Sequence, residues 1–330
     1  MSEAGHPLLP EFGLGAAGLG NLYAELSGDE AEGALVAAWE SGLTYVDTAP
    51  YYGHGLSEQR IGAWLAKSGA QPALSTKVGR RLEPANGRPL PDHGFASPAP
   101  NIPVFDYSAD GVRAGFAGSQ QRLGVLSVDI LLLHDIGALT HGEAHEAVLA
   151  QALEEALPEM AALKAEGCTK WIGLGVNEIE VCRAVLEHVD LDVLLLAGRY
   201  TLLEHQASAA FLDECHQRGV KVIIGGAFNS GLLAASGNMP LRYDYADAPD
   251  WAVQRAGMLR KVCAAFEVEL PAAALQFCRA HPAVVSVIPG ARTPEEVRQV
   301  ARWTQAKIDP ELWTAMRDQG LVVPEAVVPS

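Results

Sequence analysis

Basic residues are scarce in this chain. Twenty-four lysines and arginines stand against forty aspartates and glutamates, a net charge of −16 over 330 residues. A nucleic-acid binder needs a basic footprint against phosphate, so that class is disfavoured. Cysteine is also scarce: Cys168, Cys182, Cys215, Cys263 and Cys278 form no C-x-x-C pair. That spacing offers neither a disulfide framework nor a thiolate metal set, and it suits a reducing cytoplasm where thiols act as small core residues. No uncharged apolar run approaches the roughly 18–20 residues of a membrane span. The start, MSEAGHPLLPEFG, has no basic region followed by an apolar one, so no signal peptide is expected. Repeats and shifts of composition are missing as well. Together these absences predict one domain over residues 1–330 in the cytoplasm. It would act on a small molecule, as a monomer or small homo-oligomer, with no nucleic-acid or membrane partner.

What is present is an alternation. Eight short β-rich runs, Phe12–Gly15, Thr44–Asp47, Ala73–Lys77, Ser127–His134, Lys170–Gly175, Leu191–Ala197, Val220–Gly225 and Val284–Ile288, are separated by segments with helical spacing of apolar residues. Those segments are Asp29–Ser41, Ser57–Lys67, Asp110–Leu123, Glu143–Glu166, Glu178–His188, His205–Arg218, Trp251–Phe266 and Thr293–Thr304. Runs such as VDILLL and DVLLLAG are apolar almost throughout, as strands buried on both faces are, which points to a parallel sheet. Eight βα units over about 300 residues predict an α/β fold of the (β/α)8 TIM-barrel type. Two stretches, Arg81–Phe105 and Ser236–Asp250, read as irregular loops. Each follows a strand and precedes a helix, which in a barrel is the catalytic face.

Two motifs mislead. GLGAAG at Gly13–Gly18 matches the dinucleotide pattern G-x-G-x-x-G, but no long helix opens at Gly18. It reads instead as a glycine-rich first strand and loop that lets backbone approach closely. HGEAH (141–145) places two histidines four residues apart without the H-E-x-x-H order, so a polar loop-to-helix face is expected and no metal site.

The chemistry lies at strand ends. Asp47 ends the second expected strand, and Tyr52 follows five residues on. Lys77 ends the third strand and His134 the fourth. Adjacent strand ends of a barrel converge on one mouth, so an acid, a phenol, an amine and an imidazole would meet there. A phenol near pKa about 10 is a weak base at neutral pH. An adjacent ammonium would lower the pKa of Tyr52, Asp47 would hold Lys77, and His134 would polarise a substrate oxygen. None of these transfers hydride, so a nicotinamide must supply that step. Tyr51 competes with Tyr52 on position alone.

VDTAPYYG, LSTKVG and DILLLHD resemble the tetrad motifs of the aldo-keto reductase superfamily over nearly the whole chain. The family spacing selects Tyr52. AGRYTLLE (197–204), GGAFNSGLL (225–233) and VFDYSADGV (104–112) resemble its subgroup of aldose and pyridoxal dehydrogenases. The resemblance implies a (β/α)8 barrel that binds NAD or NADP across its mouth. It gives Asn177 the carboxamide and backbone around Phe228, Ser230 and Gly231 the pyrophosphate. Gly15, Ala16 and Asp47 would border the dinucleotide, and Gly290, Arg292 and Glu296 its far end. The chain departs from the family pattern at Val176 for serine, Ala197 for glutamine and Gly225 for the ring-stacking tyrosine. Gly290 and Glu296 stand where NADPH-preferring members place lysine and arginine. A carboxylate repels a 2′-phosphate, so NAD is expected over NADP, with Arg292 the residue that could still favour phosphate.

Aldoses and pyridoxal both close to cyclic hemiacetals, whose oxidation gives a lactone. An aldose of the L-fucose, D-arabinose or galactose type is the expected substrate, and pyridoxal the alternative. His54, Tyr107 and Arg199 are the candidate substrate contacts. Readings from other classes are a Schiff-base aldolase using Lys77 and a nucleotide-sensing barrel without turnover.

Overall fold

A computed structural model describes residues 9–235, 237 and 240–329. In chain order the strands are β1 (Leu14–Gly15), β2 (Tyr45–Asp47), β3 (Ala73–Val78), β4 (Arg80–Pro84), β5 (Asn101–Phe105), β6 (Val128–His134), β7 (Thr169–Val176), β8 (Val193–Ala197), β9 (Lys221–Gly225), β10 (Arg242–Tyr243), β11 (Ala246–Asp247) and β12 (Val284–Ile288). Eight of them form one parallel sheet in the order β1-β2-β3-β6-β7-β8-β9-β12. Bridges from Phe12 to Val287 and from Gly15 to Gly290 join the last strand to the first and close the barrel. The eight barrel strands fall on the eight expected runs.

The interior is packed and apolar. Tyr45, Ile130, Leu132, Val193, Leu195, Ile223 and Ile288 fill the barrel. A larger cluster lies between the strands and the outer helices. The alternation of these two sets along β6 explains its continuous run: Ile130 and Leu132 point in, Leu131 and Leu133 point out. The helix Gly28–Glu40 starts at a Ser27–Glu30 capping box, the Ser27 hydroxyl taking the Glu30 amide and the Glu30 carboxylate returning to the Ser27 amide.

Three features depart from the sequence reading. Arg81–Phe105 is not irregular throughout. Its ends form the antiparallel ribbon β4–β5, with Leu82 paired to Pro103 and Pro84 to Asn101. Prolines hid it, because an isolated two-stranded ribbon tolerates them where a central strand does not. Ser236–Asp250 contains a second ribbon, β10–β11, turning through Asp244 and Tyr245, both with left-handed φ. Ser236, Asn238 and Met239 lie outside the described residues. The helix Leu270–Ala280 was also illegible. Its buried residues include the consecutive run Ala272–Leu275, which masks any 3.6-residue period.

Candidate active site

The carboxyl ends of β2, β3 and β6 place Asp47, Lys77 and His134 side by side. Lys77 and Asp47 are each 2% exposed, so their charges must satisfy one another. Lys77 Nζ donates to Asp47 Oδ2 at 2.8 Å, to the Thr48 carbonyl at 2.9 Å and to the Tyr52 hydroxyl oxygen at 3.0 Å. All three ammonium protons are thereby used. The other oxygen of Asp47 accepts from Ser75 Oγ at 2.6 Å, and Ser75 Oγ lies 2.8 Å from the Tyr45 hydroxyl. Since Tyr52 accepts from Lys77, its own proton is left to point into the mouth.

Tyr52 reaches this place through an unusual backbone. Gly53, His54 and Gly55 have φ of 63°, 54° and 101° in succession, which throws the chain back after Tyr52. Gly20 closes the other side: a Cβ there would sit 2.6 Å from the Tyr52 carbonyl carbon. The glycine-rich first loop therefore braces the tyrosine and opens no long helix, only the turn Gly18–Gly20.

The electrostatics correct one expectation. Lys77 does not bring the Tyr52 pKa down. Burial pushes it well above the ordinary value, and the carboxylates of Asp47 and Asp135 add to the rise against Arg80. Asp47 adds to burial here because its carboxylate offsets the potential that Lys77 would project. Tyr52 is thus a phenol at rest. His134 is held well below its ordinary pKa by burial, then by Arg80 and Lys77, and is a neutral imidazole. Its Nδ1 is buried without a partner, and its Nε2 lies 3.4 Å from Asp135 Oδ2.

Around this floor stands an aromatic wall. Tyr51 meets the rings of His93, Phe95 and His134 at 5.2, 5.4 and 6.1 Å. Arg80 lies over the Tyr51 ring at 4.1 Å and donates to Asp135. The three expected substrate contacts are held by the protein itself. His54 is fully buried and shares a 3.2 Å hydrogen bond with His93. Tyr107 is buried behind the mouth, its hydroxyl 2.9 Å from the carbonyl oxygens of both His134 and Asp135 and 3.0 Å from His141 Nε2. One of the HGEAH histidines thus braces the residues around His134. Arg199 donates to the Asn177 carbonyl and grips Asp244 with two nitrogens at 3.1 and 2.9 Å. Sequence reasoning missed Arg80 and Asp135, although each sits within three residues of a tetrad member.

The remaining rim contains a tight turn. Asn229, Ser230 and Gly231 have consecutive left-handed φ of 47°, 56° and 94°. The Asn229 backbone amide donates to the Gly226 carbonyl at 2.8 Å, which fixes the turn. Both amide atoms of Asn229 are buried without a partner. Asn177 Nδ2 bonds the Ala197 carbonyl at 3.2 Å at the next strand end. Gly15 lies so close to β12 that a Cβ would be 2.9 Å from the Ile288 carbonyl oxygen. Ala16 bonds the Asp47 carbonyl through its amide at 2.9 Å. Glu296 turns back to the Arg292 amide at 2.8 Å, capping the helix Pro294–Thr304. The Arg292 side chain lies along Gly18, where a Cβ would meet its Cγ at 2.6 Å. Among the described residues no cluster of His, Cys, Asp and Glu could hold a metal ion, and no helix is long and apolar enough to cross a membrane.

The model of the aldo/keto reductase family matches residues 11–319. The pyridoxal 4-dehydrogenase of Microbacterium luteolum is 43% identical over 324 residues, covering 94% of each chain. The D-threo-aldose 1-dehydrogenase of a Pseudomonas species is 38% identical over 320 residues, covering 95% of each. The fold is that of an aldo-keto reductase from Bacillus halodurans solved in its holo form, with a TM-score of 0.74 at 23% identity over 98% of this chain and 94% of that one.

Proposed function

The chain belongs to the aldo/keto reductase family, whose members here are NAD(P)-dependent oxidoreductases, and from that premise we propose that it oxidises a cyclic hemiacetal to a lactone with NAD. The observation that carries this reading is the Asp47–Lys77–Tyr52 chain of contacts beside a neutral His134. An aldose of the L-fucose, D-arabinose or galactose type is the substrate we assign, in line with the 38% identity to an aldose 1-dehydrogenase.

A nicotinamide held across the mouth would supply the acceptor for hydride. Asn177 would hold its carboxamide, with Gly15, Ala16 and Asp47 bordering it. Phe228, Asn229, Ser230 and Gly231 would hold its phosphates, and Gly290, Arg292 and Glu296 would meet the adenosine end. The unpartnered Asn229 amide and the left-handed turn support that assignment. The Glu296 carboxylate at a helix start supports NAD over NADP, since a second anion there is repelled.

The chain's own part is the proton. His134 donates from Nε2 to the anomeric oxygen, and Tyr52, in its minor phenolate form, takes the hydroxyl proton and becomes the phenol as hydride leaves the carbon. One C–H and one O–H bond are lost and a carbonyl is gained. Lys77 donates to the Tyr52 oxygen and so stabilises the phenolate from which the oxidation starts. In the reverse direction the resting phenol is ready as an acid.

The test is the appearance of reduced nicotinamide with NAD and L-fucose, D-galactose, D-arabinose or pyridoxal. Turnover of one sugar epimer supports the reading. Pyridoxal is the second reading, favoured by the 43% identity to a pyridoxal 4-dehydrogenase; turnover of pyridoxal alone would select it with the same proton chemistry. Trapping of substrate on Lys77 by borohydride would instead place the protein with Schiff-base aldolases, and nucleotide binding with no turnover of any of the four would make it a sensor.

A further inference from the structure

The mouth contains one ion pair that the proton chemistry does not use. Asp135 follows His134 directly, with φ of 47°. Left-handed non-glycine residues are strained and gather at working sites. Here the strain is held in place from three sides. The Asp135 amide bonds the Gly175 carbonyl at 3.1 Å. Its own carbonyl oxygen lies 2.9 Å from both the Tyr107 hydroxyl and His141 Nε2. Its carboxylate is fixed through Oδ2, which accepts from Arg80 and lies 3.4 Å from His134 Nε2. Arg80 is in turn clamped between the rings of Tyr51 and Phe105, at 4.1 and 4.7 Å.

The side-chain contacts all fall on Oδ2, while Oδ1 takes no hydrogen bond from any described residue. The side chain keeps 16% of its surface accessible, so Oδ1 can be reached. Burial raises the Asp135 carboxyl above its ordinary range, and the adjoining Arg80 guanidinium works against that rise. A carboxylate oxygen held rigidly beside the imidazole, with no hydrogen bond of its own, is an acceptor aimed at a substrate donor.

Resting on the aldose reading above, we propose that Asp135, oriented by Arg80, is a specificity residue that binds the substrate hydroxyl on the carbon next to the anomeric one. The anomeric oxygen belongs at His134 Nε2. Oxygens on neighbouring ring carbons are separated by roughly a hydrogen-bond length, and the Asp135 carboxylate stands beside His134, its Oδ2 3.4 Å from Nε2. The class of ligand is therefore a neutral vicinal diol, whose hydroxyl donates to Oδ1. A ligand carrying an anionic oxygen at that position is repelled.

The test is a cycle with one change on the protein and one on the sugar. kcat/KM with NAD is measured for the best aldose and its 2-deoxy analogue, with wild type and Asp135→Asn. Wild type should prefer the full sugar by about 10- to 100-fold, the value of a hydrogen bond to a charged group. Asp135→Asn should lose most of that preference, and the loss should appear mainly in KM. Arg80→Lys, which keeps the charge but not the clamp, should retain part of it. Wild type alone already decides the substrate half, whether or not a variant folds. Equal use of the two sugars by wild type overturns the proposal, as does a preference that survives Asp135→Asn intact. Turnover of pyridoxal with none of any aldose overturns the vicinal-diol assignment and leaves hemiacetal oxidation standing. Silence with sugars and pyridoxal alike sinks the hemiacetal reading itself. In that case a wild-type 2-deoxy lactone that binds to the NADH complex as tightly as its parent lactone overturns the subsite, and weaker binding lost in Asp135→Asn upholds it.

Discussion

The floor of the mouth and its rim are built on opposite terms. On the floor, Lys77 spends its three protons on Asp47, Thr48 and Tyr52, and both Asp47 oxygens are bonded. On the rim, both amide atoms of Asn229 and the Nδ1 of His54 are buried with no partner. A buried polar atom without a hydrogen bond costs stability, so folding alone gives no reason to keep it. The polar atoms of the floor are bonded within the protein, and those of the Asn229 side chain are not. His134 stands at the boundary, with Nδ1 unpaired and Nε2 towards the mouth.

The largest way to break this contrast is at Tyr52. Tyr52→Phe should lower kcat by about 10²- to 10⁴-fold, the usual worth of a general acid or base. Binding of NAD, followed by fluorescence quenching, should be unchanged; retained turnover would remove Tyr52 from the chemistry. Next comes the ion pair beneath it. Lys77→Met leaves Asp47 charged, buried and unpaired, and should cost about 3–5 kcal/mol of stability in denaturant unfolding. An unfolding midpoint equal to wild type would show the floor is less closed than its distances imply.

The pH profile sharpens the same point. Tyr52 titrates well above its ordinary range and His134 well below its own. For oxidation, the base form of Tyr52 is the minor one throughout the neutral range, and raising pH increases it. log kcat/KM should therefore climb with a slope near one through pH 7–9, with no step from His134 near 6.5. A plateau beginning near neutral pH would mean the loaded site lowers Tyr52 far below its resting state.

On the rim the effects are smaller and fall on binding. Glu296→Lys should shift the ratio of kcat/KM for NAD over NADP by about tenfold towards NADP, the value of one charge-assisted contact. A wild type already more efficient with NADP would contradict the repulsion argument. Asn229→Ala should weaken NAD several-fold in a binding titration. It should leave the melting temperature unchanged or slightly higher, because an unpaired buried amide is removed. A clear fall in melting temperature would show that the amide is bonded within the protein.

Legibility followed the same division. Strands, their order and the convergence of Asp47, Lys77 and His134 were readable, because each depends on local pattern and on strand ends meeting at one barrel mouth. Loop geometry was not. His54, Tyr107 and Arg199 are polar residues near the right strand ends, yet His93, the backbone after β6 and Asp244 engage them. Arg80 and Asp135 carried no periodic signal; only the fold brings a residue of β4 against the residue after β6.

The sequence by itself determined the barrel and the identity of the four groups at its floor, because burial pattern and residue type are properties of neighbouring positions. The tertiary structure alone decided which of those groups are charged and which polar atoms are left over. That outcome depends on burial and on distances between chain segments far apart in sequence: burial, with Asp47 beside it, sets the resting phenol of Tyr52, and the free oxygen of Asp135 exists because Arg80 takes the other.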